Sequence, residues 1–168
     1  ELGNHTLFHP CDSRPPGRKW VSAEYDLKNY TVRRIMDEIH VNNAFLNVLD
    51  GRDKRTFAYT CGDMEAGGIN FVPEVMKQFI AARGVKPGMN RIGDVNLSDI
   101  DSYMVNGEDG HQLTAWAKQA LETGSLLVFT FHGAGGGHNI NVSMEAYLQL
   151  LHYLKQQEDK IWVATMLE

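Results

Sequence analysis

The chain has 168 residues, 43% hydrophobic and 22% charged, a composition that excludes a disordered polymer and supplies one domain with a sizeable core. Its 21 acidic against 16 basic side chains give a net charge of −5 with no basic run to follow a phosphate backbone, which argues against nucleic acid as a partner. The longest apolar run, residues 126–131 interrupted only by Thr130, is far short of a bilayer span, so no membrane is expected as a partner.

His5 and His9 stand four apart in His5-Thr6-Leu7-Phe8-His9-Pro10. On one turn of helix that spacing puts both imidazoles on the same face, where they can grip one divalent cation such as zinc. Zinc enzymes commonly add a third protein ligand and leave a position for water, whose pKa falls to roughly 7. The alternative is a pair of surface histidines in a short polar turn. Cys11 follows His9 by two residues, and Cys61 lies in Phe57-Ala58-Tyr59-Thr60-Cys61-Gly62-Asp63. Two cysteines are too few for a disulfide scaffold, and both a Cys11–Cys61 bridge and two unpaired thiols stay open.

Residues 12–20 form a loop, because Pro15-Pro16-Gly17 forbids regular structure. A helix capped by Ser22 follows, with Leu27, Thr31, Ile35 and Ile39 as its apolar stripe beside Val32 and Met36. Residues 55–60 read as a strand, 70–78 as a helix entered through Pro73, and 79–82 as a second strand stopped by Arg83-Gly84. A helix over 110–122 ends at Gly124. Residues 126–131 are apolar without alternation, as in a strand buried on both faces of a parallel sheet. That strand delivers His132 at its C-terminal end, ahead of the loop Gly133-Ala134-Gly135-Gly136-Gly137. A helix over 143–157 buries Tyr147, Leu150, Leu151 and Leu154, and a strand over 161–166 closes the chain. This alternation predicts a single α/β domain over residues 1–168, with parallel pairing in an open sheet or a barrel.

His132 suits a general acid or base, since glycines beside it let a ligand approach the backbone; a structural histidine is the alternative. The glycine run lacks the Lys-Ser/Thr of a P-loop and the spacing of a dinucleotide fingerprint. His138 reads as a solvated loop residue. Arg83 is expected to pair with Asp63 or Asp94, or to be a surface cation. His40, His111 and His152 fall on helices and receive no role.

Gly3-Asn4-His5-Thr6-Leu7-Phe8-His9-Pro10 resembles the His-Ser/Thr-x-x-His motif of the polysaccharide deacetylases, carbohydrate esterase family four. Phe57 to Gly62 is similar to that family's third motif, Phe129-Thr130-Phe131-His132 to its Leu-x-His motif, and Ile161 to Met166 to its last barrel strand. The resemblance implies a partial (β/α) barrel that hydrolyses O-acetyl or N-acetyl groups of carbohydrate such as acetylated xylan, chitin-type polymers or peptidoglycan. It makes His5 and His9 metal ligands, His132 the general acid and the Cys61 backbone N–H an oxyanion donor, with Arg83 in an orienting role. The cofactor implied is a divalent metal, zinc first, with cobalt or nickel as alternatives. The family's Thr-Phe-Asp-Asp-Gly motif is absent, and so is its Asp-Trp motif; Ala58 stands where its third motif has arginine. The N-terminal strand with the catalytic base and the aspartate ligand is therefore expected to precede Glu1, with Asp12 and Asp63 as substitutes if the chain acts alone. The partner implied is an oligo- or polysaccharide, and an edge left open by the absent strand implies a homo-oligomer. A secreted or periplasmic address is favoured over a cytoplasmic one. The alternatives in function are a carbohydrate-binding member without turnover and a metal-dependent amidase acting on another substrate.

Overall fold

Helix alternates with four short strand pairs, two parallel and two antiparallel, in the computed structural model, which describes residues 1–168. The chain folds as an α/β protein. It divides into two compact units: residues 1–84, 97–100 and 165–168 form one, and residues 85–96 and 101–164 the other.

In the first unit Asn4 pairs with Phe57, β1 (Phe57–Ala58) with β4 (Ala82–Arg83), and Arg83 with Ile100, each in parallel. Parallel neighbours need long crossovers, and the helix α1 (Val32–Asp50) supplies the one between Asn4 and Phe57. A hairpin of β2 (Glu65–Ala66) and β3 (Ile69–Asn70) and the short helix α2 (Val72–Val75) fill the crossover from β1 to β4. Ile35, Met36 and Ile39 of α1 bury their side chains in one core with Phe57, Tyr59, Phe71, Val75 and Phe79. Of the predicted stripe, Leu27, Ile35, Met36 and Ile39 are core and Val32 packs against it, whereas Thr31 is exposed.

The predicted start of α1 is corrected. The helix begins at Val32, where the Thr31 hydroxyl accepts the Arg34 amide, and Ser22 caps nothing with its side chain. Two 3-10 turns, Ala23–Tyr25 and Leu27–Asn29, precede it. The cause is tertiary. The Cys11 amide donates to Tyr25 O and the Leu27 amide to Cys11 O, so this stretch is tied to a neighbouring segment and cannot wind on into the helix. The helix predicted over 70–78 shrinks to α2, because Asn70 belongs to a β-hairpin.

In the second unit β5 (Asn90–Arg91) pairs antiparallel with β7 (Ser125–Leu126), and β6 (Tyr103–Met104) pairs in parallel with β8 (Phe129–Thr130). Helix α3 (Gly110–Thr123) starts under the Asp109 carboxylate and stops at Gly124, left-handed at φ 59°. Helix α4 (Met144–Gln156) starts under the Ser143 hydroxyl. Val105, Leu113, Ala117, Val142, Ala146 and Leu150 form the core between them. Two expectations fail here. Residues 126–131 are not one strand buried on both faces: they divide between β7 and β8, and Thr130 is their only buried member. Residues 161–166 form no strand, since no ladder lies beside them, and Trp162 and Val163 are exposed. Leu151 of α4 is exposed as well. No helix is long and apolar enough to cross a membrane.

Candidate functional site

The site is built outward from Asn4, whose side chain is fully buried. Its Nδ2 donates to Ile39 O (3.0 Å) and Asn43 Oδ1 (2.7 Å), and its Oδ1 accepts from the Thr6 amide (2.8 Å) and Asn42 Nδ2 (3.0 Å). Both donors and both acceptor positions of the amide are therefore satisfied. Its backbone is held by Thr56 O and the Ala58 amide, each at 2.9 Å.

The chain then turns sharply through two left-handed residues, Thr6 (φ 63°) and His9 (φ 52°). The helical turn inferred from the His5–His9 spacing is corrected: residues 5–9 are not helical. Pro10 disfavours the right-handed helical region at His9, and the Thr6 hydroxyl accepts the His9 amide at 3.1 Å to close the turn. The two rings still meet, with centroids 4.8 Å apart and planes at 81°.

His5 Nδ1 lies 2.7 Å from Ala58 O. Only a protonated Nδ1 can donate to a carbonyl, so this contact assigns the lone pair to Nε2, the arrangement that a metal-binding histidine needs. His9 Nδ1 sits 3.6 Å from Cys11 Sγ, which has no proton to donate because Cys11 and Cys61 form a disulfide with Cα atoms 5.7 Å apart. The bridged sulfurs are not metal ligands, which leaves His5 and His9 as the imidazole donors of this turn.

Cys61 is left-handed (φ 55°) in a tight 3-10 turn, Thr60–Gly62, whose closing amides are those of Gly62 and Asp63. Thr60 Oγ1 donates to Pro10 O, which ties the turn to the histidine loop beside the disulfide. Arg18 bonds Cys61 O (2.9 Å) and Asp63 Oδ2 (2.5 Å). Asp12 is paired with Arg14, whose hydrogen bond holds the buried carboxyl below its ordinary pKa. Both carboxylates named as substitute base or third ligand are thus committed to arginines.

Arg83 ends β4 and lines a cleft of about 210 Å³ together with Gly3, Asn4, His5, Thr56 and Ala58. Its expected pairing with Asp63 is corrected, since Asp63 takes Arg18. Burial lowers the pKa of the Arg83 guanidinium, which donates to Gly84 O at 3.3 Å. His132 lies in the second unit, two residues past β8, its ring stacked on that of His138 at 5.0 Å. The glycine loop is pinned by the Ala134–Val142 bridge, and Asn141 Oδ1 accepts the Gly136 amide at 3.1 Å.

Asn4, Thr6 and Arg18 were not identified as site residues from the sequence. The one signal was Asn4 directly before the first histidine, and its value lies in partners about 40 residues away that no local pattern shows. Comparison with family models, with curated proteins and with solved structures returned no match.

Proposed function

We propose that this chain is a metal-dependent hydrolase that removes O-acetyl or N-acetyl groups from carbohydrate, of the polysaccharide deacetylase type. The observation that carries the reading is the His5–His9 pair. An asparagine with every hydrogen bond satisfied anchors it, one ring is oriented by a backbone carbonyl, and it sits where a parallel-paired segment ends. In α/β folds with parallel strands, residues at such ends are the ones that read as catalytic.

His5 and His9 hold the metal, zinc in the first instance. A divalent cation there supplies Lewis-acid polarisation of an acetyl carbonyl and acidification of water. The Cys61 N–H donates to the oxyanion that develops on that carbonyl. Arg83, which lines the cleft with His5, orients substrate there. The disulfide supports a secreted or periplasmic address, because such bonds persist in oxidising compartments.

One observation favours a second reading, a carbohydrate-binding member without turnover. Asp12 and Asp63 are both locked to arginines, which leaves the histidine loop without a carboxylate base of its own. Acetate release from acetylated xylan and chitin oligomers with added zinc or cobalt decides between them. Release that is lost in His5→Ala supports the hydrolase; oligosaccharide binding without acetate supports the binding protein.

A further inference from the structure

The sulfurs of Cys11 and Cys61 and a ring nitrogen of His9 all lie within 4.8 Å of one another. Bridged to each other, the sulfurs carry no charge with which to ligate a cation. Separated and deprotonated, they become two of the strongest zinc donors a protein offers. Tetrahedral zinc, with bonds of about 2.3 Å to sulfur and about 2.0 Å to nitrogen, spaces its donors about 3.5–3.8 Å apart. The 3.6 Å between His9 Nδ1 and Cys11 Sγ is already that spacing. The surroundings fit the change. Cys61 is only half-buried, so a reductant can reach the bond, and the Arg18 guanidinium on Cys61 O favours a nearby thiolate.

We propose that reduction of the Cys11–Cys61 disulfide turns this corner into a zinc site whose ligands are Cys11, Cys61 and His9. A phosphine reductant delivers two electrons, the S–S bond breaks, and one water gives two protons to the thiols and its oxygen to the phosphine, which leaves as the phosphine oxide. Zinc then binds both sulfurs as thiolates and releases those two protons. His9 is exposed, so the fourth position opens to water. The ion replaces the covalent staple between the same two segments. Because His9 also belongs to the His5–His9 pair, the redox state of the cysteines selects which set of donors holds the metal.

Cobalt(II) titration of the phosphine-reduced chain tests this, with the oxidised chain alongside. Expected for the reduced chain is a thiolate-to-cobalt charge-transfer band, displaced by one equivalent of zinc; the oxidised chain, which has no thiolate, shows none. Cys61→Ser and His9→Ala should each weaken cobalt binding at least about tenfold, whereas His5→Ala should leave it unchanged. The His5→Ala arm separates this site from the hydrolase reading, which requires His5. Zinc should also restore the helical circular dichroism of the oxidised chain to reduced protein that has lost it. A reduced chain without charge transfer, affinity indifferent to His9→Ala, or helix signal that zinc does not restore overturns the proposal.

Discussion

Asn4 shows how one buried side chain can position the residues around it. Its amide joins the helix α1, through Ile39, Asn42 and Asn43, to the turn that carries both histidines. Asn4→Ala removes four hydrogen bonds at once in a fully buried position, and the groups left without partners make the loss larger than the bonds alone. Stability should fall by about 2–4 kcal/mol in urea denaturation, and zinc binding should weaken with it. An Asn4→Ala chain as stable as wild type would show that the network is decoration. At this scale the sequence was half legible. The spacing of His5 and His9 pointed to a shared ligand, while the means of bringing them together was misread. Four-residue spacing signals a helix only where each residue can be helical, and Pro10 removes that option at His9.

Among elements, those with local punctuation were legible and those without it were not. Helices α3 and α4 begin and end close to the positions predicted, because Gly124 and Ser143 mark their limits in the sequence itself. Thr31 carries the same cap for α1, yet Leu27, buried in a 3-10 turn outside the helix, extended the apparent stripe. The strands are two residues long, too short for any period to show, and only their pairing defines them. The packing of α3 on α4 supplies a test. A Cβ on Gly110 would stand 2.8 Å from Gln149 Cβ and 2.5 Å from its Cδ, closer than packed atoms come. Gly110→Ala should therefore lower the melting temperature by the equivalent of about 1–3 kcal/mol, despite alanine's better helix propensity. A stabilised variant would refute this close approach of the helices.

For the molecule as a whole, the sequence yielded the α/β class and the core stripe. The division into two compact units was not legible, because residues 97–100 and 165–168 join the first unit from far along the chain. Covalent and ionic ties matter more than composition suggested. The Cys11–Cys61 bridge closes a loop of 50 residues, a constraint on the unfolded chain of about 4 kcal/mol. Burial by itself would raise the carboxyl of Asp26, but hydrogen bonds from Ser13 and Lys28 outweigh it and hold the pKa at about 2; Arg55 does the same for Asp50. Both groups ionise more readily in the folded chain than at the ordinary value of 3.8 in the unfolded one. Their contribution is whole above that value and is lost as pH falls towards 2. Melting temperature should accordingly drop between pH 4 and pH 2, and drop less in Asp26→Asn. A flat profile over that interval would contradict the assignment.

Calorimetric titration of zinc into the oxidised chain shows whether His5 and His9 together hold a metal. One zinc per chain is expected, with affinity reduced about 10–100-fold in His5→Ala and again in His9→Ala. Binding by His5→Ala equal to that of wild type would contradict that expectation.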